Sequence, residues 1–176
     1  VSLLSRMASE VSMNAGSKPT TSAKAYLTLH IGGQEYGIDI LRVQEIRSYV
    51  SPTSIANAPP FLKGVIDLRG VIVPIVDLRI RLGCEAMYNT FTVVIVLNIK
   101  GRAIGIAVDS VSEVADLSPD QARALEGYPH SDQLTYVRAV ATVNRGEGEC
   151  SIECPIMLMD IEGLLCDPAM GLIGSA

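Results

Sequence analysis

A chain of 176 residues, 48% hydrophobic and 19% charged, is long enough to bury a sizeable core and too apolar to remain unfolded. A net charge of −5 and a pI of about 5.0 speak against a nucleic-acid binder, which needs a basic face to neutralise phosphates. No apolar run approaches the roughly 18 residues of a membrane-spanning helix.

Residues 1 to about 23 are rich in Ser, Thr, Ala and Gly and show no sustained periodicity, so a flexible tail is expected there. The opening residues lack a basic end followed by a long apolar core, so no signal peptide is expected. Cys84, Cys150, Cys154 and Cys166 have no neighbouring histidine that would complete a zinc pattern, so no metal site is expected. Reduced thiols and a cytoplasmic setting follow as the expectation. With no tryptophan and only two phenylalanines, Val, Ile and Leu must fill the core. Their β-branched members favour strands.

From Ala25 the chain alternates, with Ala25, Leu27, Leu29 and Ile31 on one face and Tyr26, Thr28 and His30 on the other. Gly32-Gly33 turns it, and Tyr36 to Ile40 returns. Further on, Val65-Ile66 leads to Arg69-Gly70, and a long apolar run follows into Asp77-Leu78-Arg79, which reads as a hairpin with Gly70 in its turn. The second run has Ile72, Pro74, Val76, Leu78, Ile80 and Leu82 on one face. Val71, Val73 and Ile75, then Asp77, Arg79 and Arg81, occupy the other. A strand covered on both faces that leaves with one face in water is expected. Pro74 cannot donate to a ladder, so the strand should lie on an edge or bulge there.

The chain repeats. A shift of 68 carries Gly33 to Gly101, Gly37 to Gly105, Val43 to Val111 and Glu45 to Glu113 without a gap. A shift of 83 carries Asp77-Leu78 to Asp160-Ile161, which places extra connection around 117–133 and 144–154. In the first of these, Ser118-Pro119-Asp120-Gln121 is a helix start and predicts a short helix over 118–126. A second brief helix is expected over 160–165. The resulting reading is an all-β fold of two five-stranded barrels packed side by side. The first spans 24–83 and the second 84–166, followed by a tail over 167–176. In the first strand, the second copy has Val94 and Val96 where the first has Tyr26 and Thr28. Those valines must be covered by the neighbouring barrel or by a partner.

No nucleophile or phosphate-loop spacing surrounds His30, His130 or the Gly64–Gly70 run, so no catalytic residue is assigned and a binding module is expected. On their own, Glu45 and Arg69 read as solvated or ion-paired surface residues.

The run from Phe61 to Arg79 closely resembles the signature of the CheW family of chemotaxis coupling proteins, and the resemblance extends from about Ala25 to about Leu165. It implies two SH3-like barrels, no cofactor, and a non-enzymatic adaptor recruited to membrane-associated receptor arrays. Its implied partners are the cytoplasmic tip of methyl-accepting chemoreceptors and the regulatory domain of a CheA-type histidine kinase. Carried over residue by residue, the receptor surface comprises Val43, Glu45, Arg69, Val93 and Val94. The kinase contact comprises Arg123 and Tyr128. A non-flagellar chemosensory circuit using the same fold, or a small-ligand-binding barrel, are the alternative readings.

Overall fold

The computed structural model describes residues 23–125, 135–146 and 148–172. Its first half holds β1 (Lys24–Ile31), β2 (Gln34–Asp39), β3 (Val43–Ser48), β4 (Leu62–Leu68), β5 (Val71–Asp77) and helix α1 (Leu78–Arg81). The second half holds β6 (Val93–Ile99), β7 (Arg102–Val108), β8 (Ser110–Leu117), β9 (Ala122–Ala124), β10 (Val137–Arg145), β11 (Ile152–Met159) and helix α2 (Ile161–Leu165).

Three hairpins follow from their turns. Gly32-Gly33, Arg69-Gly70 and Lys100-Gly101 all have positive φ at both positions, the requirement of a two-residue type I′ turn. Arg69 tolerates φ 53° where the preceding Asp67 side chain accepts the Gly70 N–H at 2.7 Å. Asn98 does the same for Gly101 at 2.9 Å.

The two sheets exchange strands. The first runs β8-β1-β2-β11-β10-β9 and the second β3-β6-β7-β5-β4. The hairpin β1–β2 from the first half therefore lies among strands of the second. The hairpin β6–β7 lies among strands of the first, so each sheet draws on both sides of Gly83. The division near Gly83 describes the sequence repeat, while in space the halves interpenetrate. The exchange is reciprocal: β11 joins β2 in parallel with Leu158 opposite Gly37, and β5 joins β7 in parallel with Ile75 opposite Gly105. A side chain at Gly37 would press on Leu158 and Ile156, and one at Gly105 on Ile75 and Val94. The repeated glycine thus marks the point where the other half approaches closely.

The face Leu27, Leu29 and Ile31 of β1 packs with Ile95, Leu97 and Ile99 of β6 in one cluster spanning both sheets. Fully burying each such side chain contributes roughly 1.5–3 kcal/mol. Val94 and Val96 do not join this shared core. They pack with Val73 and Ile75 of the first half in a small cluster within the second sheet, so the neighbouring half covers them.

Further expectations are corrected. The helix over 118–126 is a single 3₁₀ turn, Pro119–Gln121, followed by strand β9. Ser118 and Gln121 do form a capping box, but the backbone then pairs with β10, which a helix could not do. The segment from Asp167 is not a free tail up to Leu172. Asp167 caps a 3₁₀ turn, Pro168–Met170, and Met170 is buried in the shared core. The strand after Gly70 stops at Asp77 rather than running on to Leu82. The alternating row had concealed a helical one, because Leu78 and Leu82 are also four apart and both are buried. The covered end of that strand is reversed as well, since Val71 and Ile72 are exposed. Pairing of β5 with β7 begins at Ile75, so Pro74 lies where that side of the ladder is open, as its missing N–H requires. The second helix, α2, lies within the expected range.

Asp77 and Arg79, read as water-facing, are both fully buried. Asp77 caps α1 by accepting the Arg79 N–H at 3.0 Å, and its carboxylate receives the Arg79 guanidinium in a fork at 2.9 and 2.8 Å. Arg79 Nη1 also donates to Asp109 at 3.0 Å and to the Met87 carbonyl at 2.6 Å. Tyr88 donates its hydroxyl to Asp77 at 2.8 Å, with its ring against the guanidinium. Burial alone would lower the Arg79 pKa. The hydrogen bonds to Asp77 and Asp109 outweigh it and hold the pKa above its ordinary value. The Tyr88 phenol is pushed up by burial and by the neighbouring Asp77. One cation thereby fastens the end of β5, the β7–β8 junction and the segment 83–92 that connects the halves.

Candidate partner-binding surface

The candidate receptor surface forms where β3 lies beside β6 and the β4–β5 hairpin projects. Glu45 pairs with Val96, and Ser48 pairs with Val93 at the end of the same ladder. A register shift between Val43 and Glu45 alters the aim of the side chains there. Arg69, held at the tip of the hairpin by its type I′ turn, reaches back to form an ion pair with Glu45. The Arg69 side chain remains 75% exposed against 23% for Glu45, so much of the cation still faces solvent. Arg47 stands 3.9 Å from Glu45 on the other side.

The structure brings Glu45 and Arg69 into direct contact and leaves Val93 half-buried at the rim. Val43 and Val94 are buried, which leaves them to support the surface from beneath. Exposed apolar area comes instead from Val71 and Ile72, immediately after the turn, and from Val50. Sequence reasoning missed these because a β-branched run reads as core. The signal available was their position directly beyond a two-residue turn, where a hairpin projects from the sheet. A cleft of about 130 Å³ lies beside them, lined by Arg47, Ser48, Val50, Ile66, Asp67 and Val94.

Arg123 is exposed on β9, the edge strand of the first sheet, opposite Val140. Tyr128 and His130 lie outside the described residues. His30 is half-buried, and its Nδ1 is 3.1 Å from the Ser112 hydroxyl. Among the described residues no group of His, Cys, Asp and Glu is placed to hold a metal ion, and the four cysteines are free.

On the first sheet, Arg145 forks onto Glu35 at 2.7 and 2.6 Å and reaches Glu113 at 2.8 and 2.6 Å. Hydrogen bonding from Arg145 holds the Glu35 carboxyl below its ordinary pKa against the opposing effect of burial. The same contacts raise the Arg145 pKa, led by the bond to Glu35. This cluster ties β2, β8 and β10 together across the sheet.

Comparison with known proteins places this architecture. The CheW-like domain family model matches residues 25–168. The chain is 42% identical over 154 residues to Chemotaxis protein CheW of Klebsiella aerogenes, covering 87% of this chain and 88% of that protein. It is 32% identical over 141 residues to Chemotaxis protein CheW of Rhizobium meliloti, covering 80% and 90%. The crystal structure of the scaffolding protein TtCheW from Thermoanaerobacter tengcongensis superposes with a TM-score of 0.69 at 26% identity, covering 82% of this chain and 93% of that one. The match thus takes in both sheets and the strap that joins them, and the chain belongs to the CheW-like family.

Proposed function

We propose that this chain is a non-enzymatic adaptor that couples chemoreceptors to a CheA-type histidine kinase in chemotaxis signalling. The observation that carries this reading is the family match across residues 25–168. Its relatives are named as chemotaxis proteins, and a structural neighbour is described as a scaffolding protein. An adaptor transmits by contacting its partners differently in two states, so it needs surfaces rather than a reactive group.

In this proposal the receptor tip docks on the surface around the Arg69–Glu45 pair. Arg69 fixes orientation with its exposed side, and Val71, Ile72 and Val93 accept apolar side chains. Support comes from the combination of a projecting cation and exposed β-branched residues on one hairpin. The kinase regulatory domain docks elsewhere, at the region of Arg123 and Tyr128. The site of action is the cytoplasmic side of receptor arrays.

The test is kinase autophosphorylation with receptor signalling fragments, measured with and without the purified chain. The expected outcome is a large receptor-dependent change only when the chain is present. Arg69→Glu should abolish that change while leaving kinase binding intact. Coupling that survives Arg69→Glu would remove the receptor surface from this hairpin. Absence of any effect by the folded wild-type chain would refute the coupling role with that receptor and kinase.

A further inference from the structure

Each sheet is completed by the opposite half of the chain, and the covalent link between the halves is the segment 83–92. That segment has no strand or helix, and Met87, Tyr88 and Phe91 are exposed on it at 72%, 43% and 72%. Its ten residues reach about 35 Å when extended, enough for a half to separate from its own partner half. The contacts between halves, β1 with β8, β3 with β6, β2 with β11 and β5 with β7, form equally well when the halves come from different chains. The monomer is distinguished by what holds the strap folded back, which includes the bond from Arg79 to the Met87 carbonyl, the bond from Tyr88 to Asp77 and the packing of the Tyr88 ring on Tyr49.

We propose that the strap 83–92 is a latched hinge through which two copies of this chain exchange halves into a closed dimer. The Asp77–Arg79–Tyr88 contacts set the balance between monomer and dimer. The partner is a second copy of the chain, because every inter-half ladder is then satisfied without a new interface. Opening extends the strap and withdraws Met87 and Tyr88 from the buried pair. The Arg79–Asp109 bond, which joins one half to the other, is re-formed between chains. Two straps open per dimer, so any weakening of the latch acts twice on the dimerisation constant.

The test uses the full chain with His30→Cys and Ser110→Cys, positions that face each other across the β1–β8 ladder. It is unfolded in urea with reductant, refolded at high protein concentration, oxidised, and separated by size exclusion with light scattering. The same is done with Tyr88→Phe added, which keeps the ring and removes the bond to Asp77. The expected result is a dimer peak whose chains are joined by a disulfide between the introduced thiols, while the monomer peak carries that disulfide within one chain. Losing one hydrogen bond to a charged group amounts to about tenfold per strap, so Tyr88→Phe should raise the dimerisation constant about a hundredfold. An exchanged dimer also persists on dilution until the chains unfold. The proposal is overturned by monomer alone in both proteins, by a dimer whose disulfides are all within chains, or by a dimer that dissociates at once on dilution.

Discussion

Arg79→Met deletes the one cation of the buried network while preserving much of the side chain's volume. Asp77 would then be a fully buried carboxylate that retains only the Tyr88 hydroxyl and its helix-capping N–H. The Met87 carbonyl and one oxygen of Asp109 would lose a donor as well. Removing one partner of a buried ion pair costs about 3–5 kcal/mol, because the remaining charge is left uncompensated. With a urea m-value of about 2 kcal/mol/M, the unfolding midpoint should fall by about 2 M. Arg138→Met is the control. Its ion pair with Asp160 leaves the arginine side chain 74% exposed, so removing it should cost at most about 1 kcal/mol. Urea unfolding followed by circular dichroism on both variants gives the comparison directly. Equal midpoints for Arg79→Met and Arg138→Met would refute the claim that this buried network holds the connection between the halves.

Arg69→Glu should change unfolding free energy by about 1 kcal/mol or less, because the Arg69 side chain is 75% exposed in its pair with Glu45, while receptor coupling should be lost under the proposed function. A large loss of stability would make Arg69 a structural residue first. The Glu35 carboxyl has a lower pKa in the folded protein than in the unfolded chain, so it binds its proton less readily when folded. Its stabilising contribution is therefore present above the ordinary carboxylate pKa and is lost as pH falls through the depressed folded value. Glu35→Gln should flatten that acid-side loss in denaturation midpoints measured from pH 7 downward, and an unchanged profile would exclude Glu35 as a source of it. Gly64→Ala should destabilise by about 4 kcal/mol or prevent folding, since Gly64 has φ 141° and an added Cβ would meet the Thr53 carbonyl. A near-native melting temperature for that variant would show that the Thr53–Val65 bridge yields easily.

The strands were legible because β-branched alternation and the Gly-Gly, Arg-Gly and Lys-Gly pairs act locally, and type I′ turns admit few sequences. The repeat was legible for a related reason: Gly37 and Gly105 must both stay small where the opposite half's strand crosses. The helix at Leu78 was hidden because residues four apart fit a period of two as well as a helical turn. Only the Asp77 cap breaks the tie. Arg69 and Glu45 stood out through the family resemblance, and their mutual contact joins β3 and the turn after β4, which stand at opposite edges of one sheet.

The sequence by itself determined the all-β class, the duplicated unit, the hairpin turns and the family, since each is written in neighbouring residues or in a fixed spacing. Tertiary structure alone decided which half completes which sheet, because β3 carries no local mark of whether it will pair with β6 or with its own hairpin. It also decided the fate of charge. Arg79 and Arg81 look alike in the sequence, but Arg79 is buried because Asp77 and Asp109 converge on it from separate strand ends. That matched pair of carboxylates offsets the cost of removing the guanidinium from water.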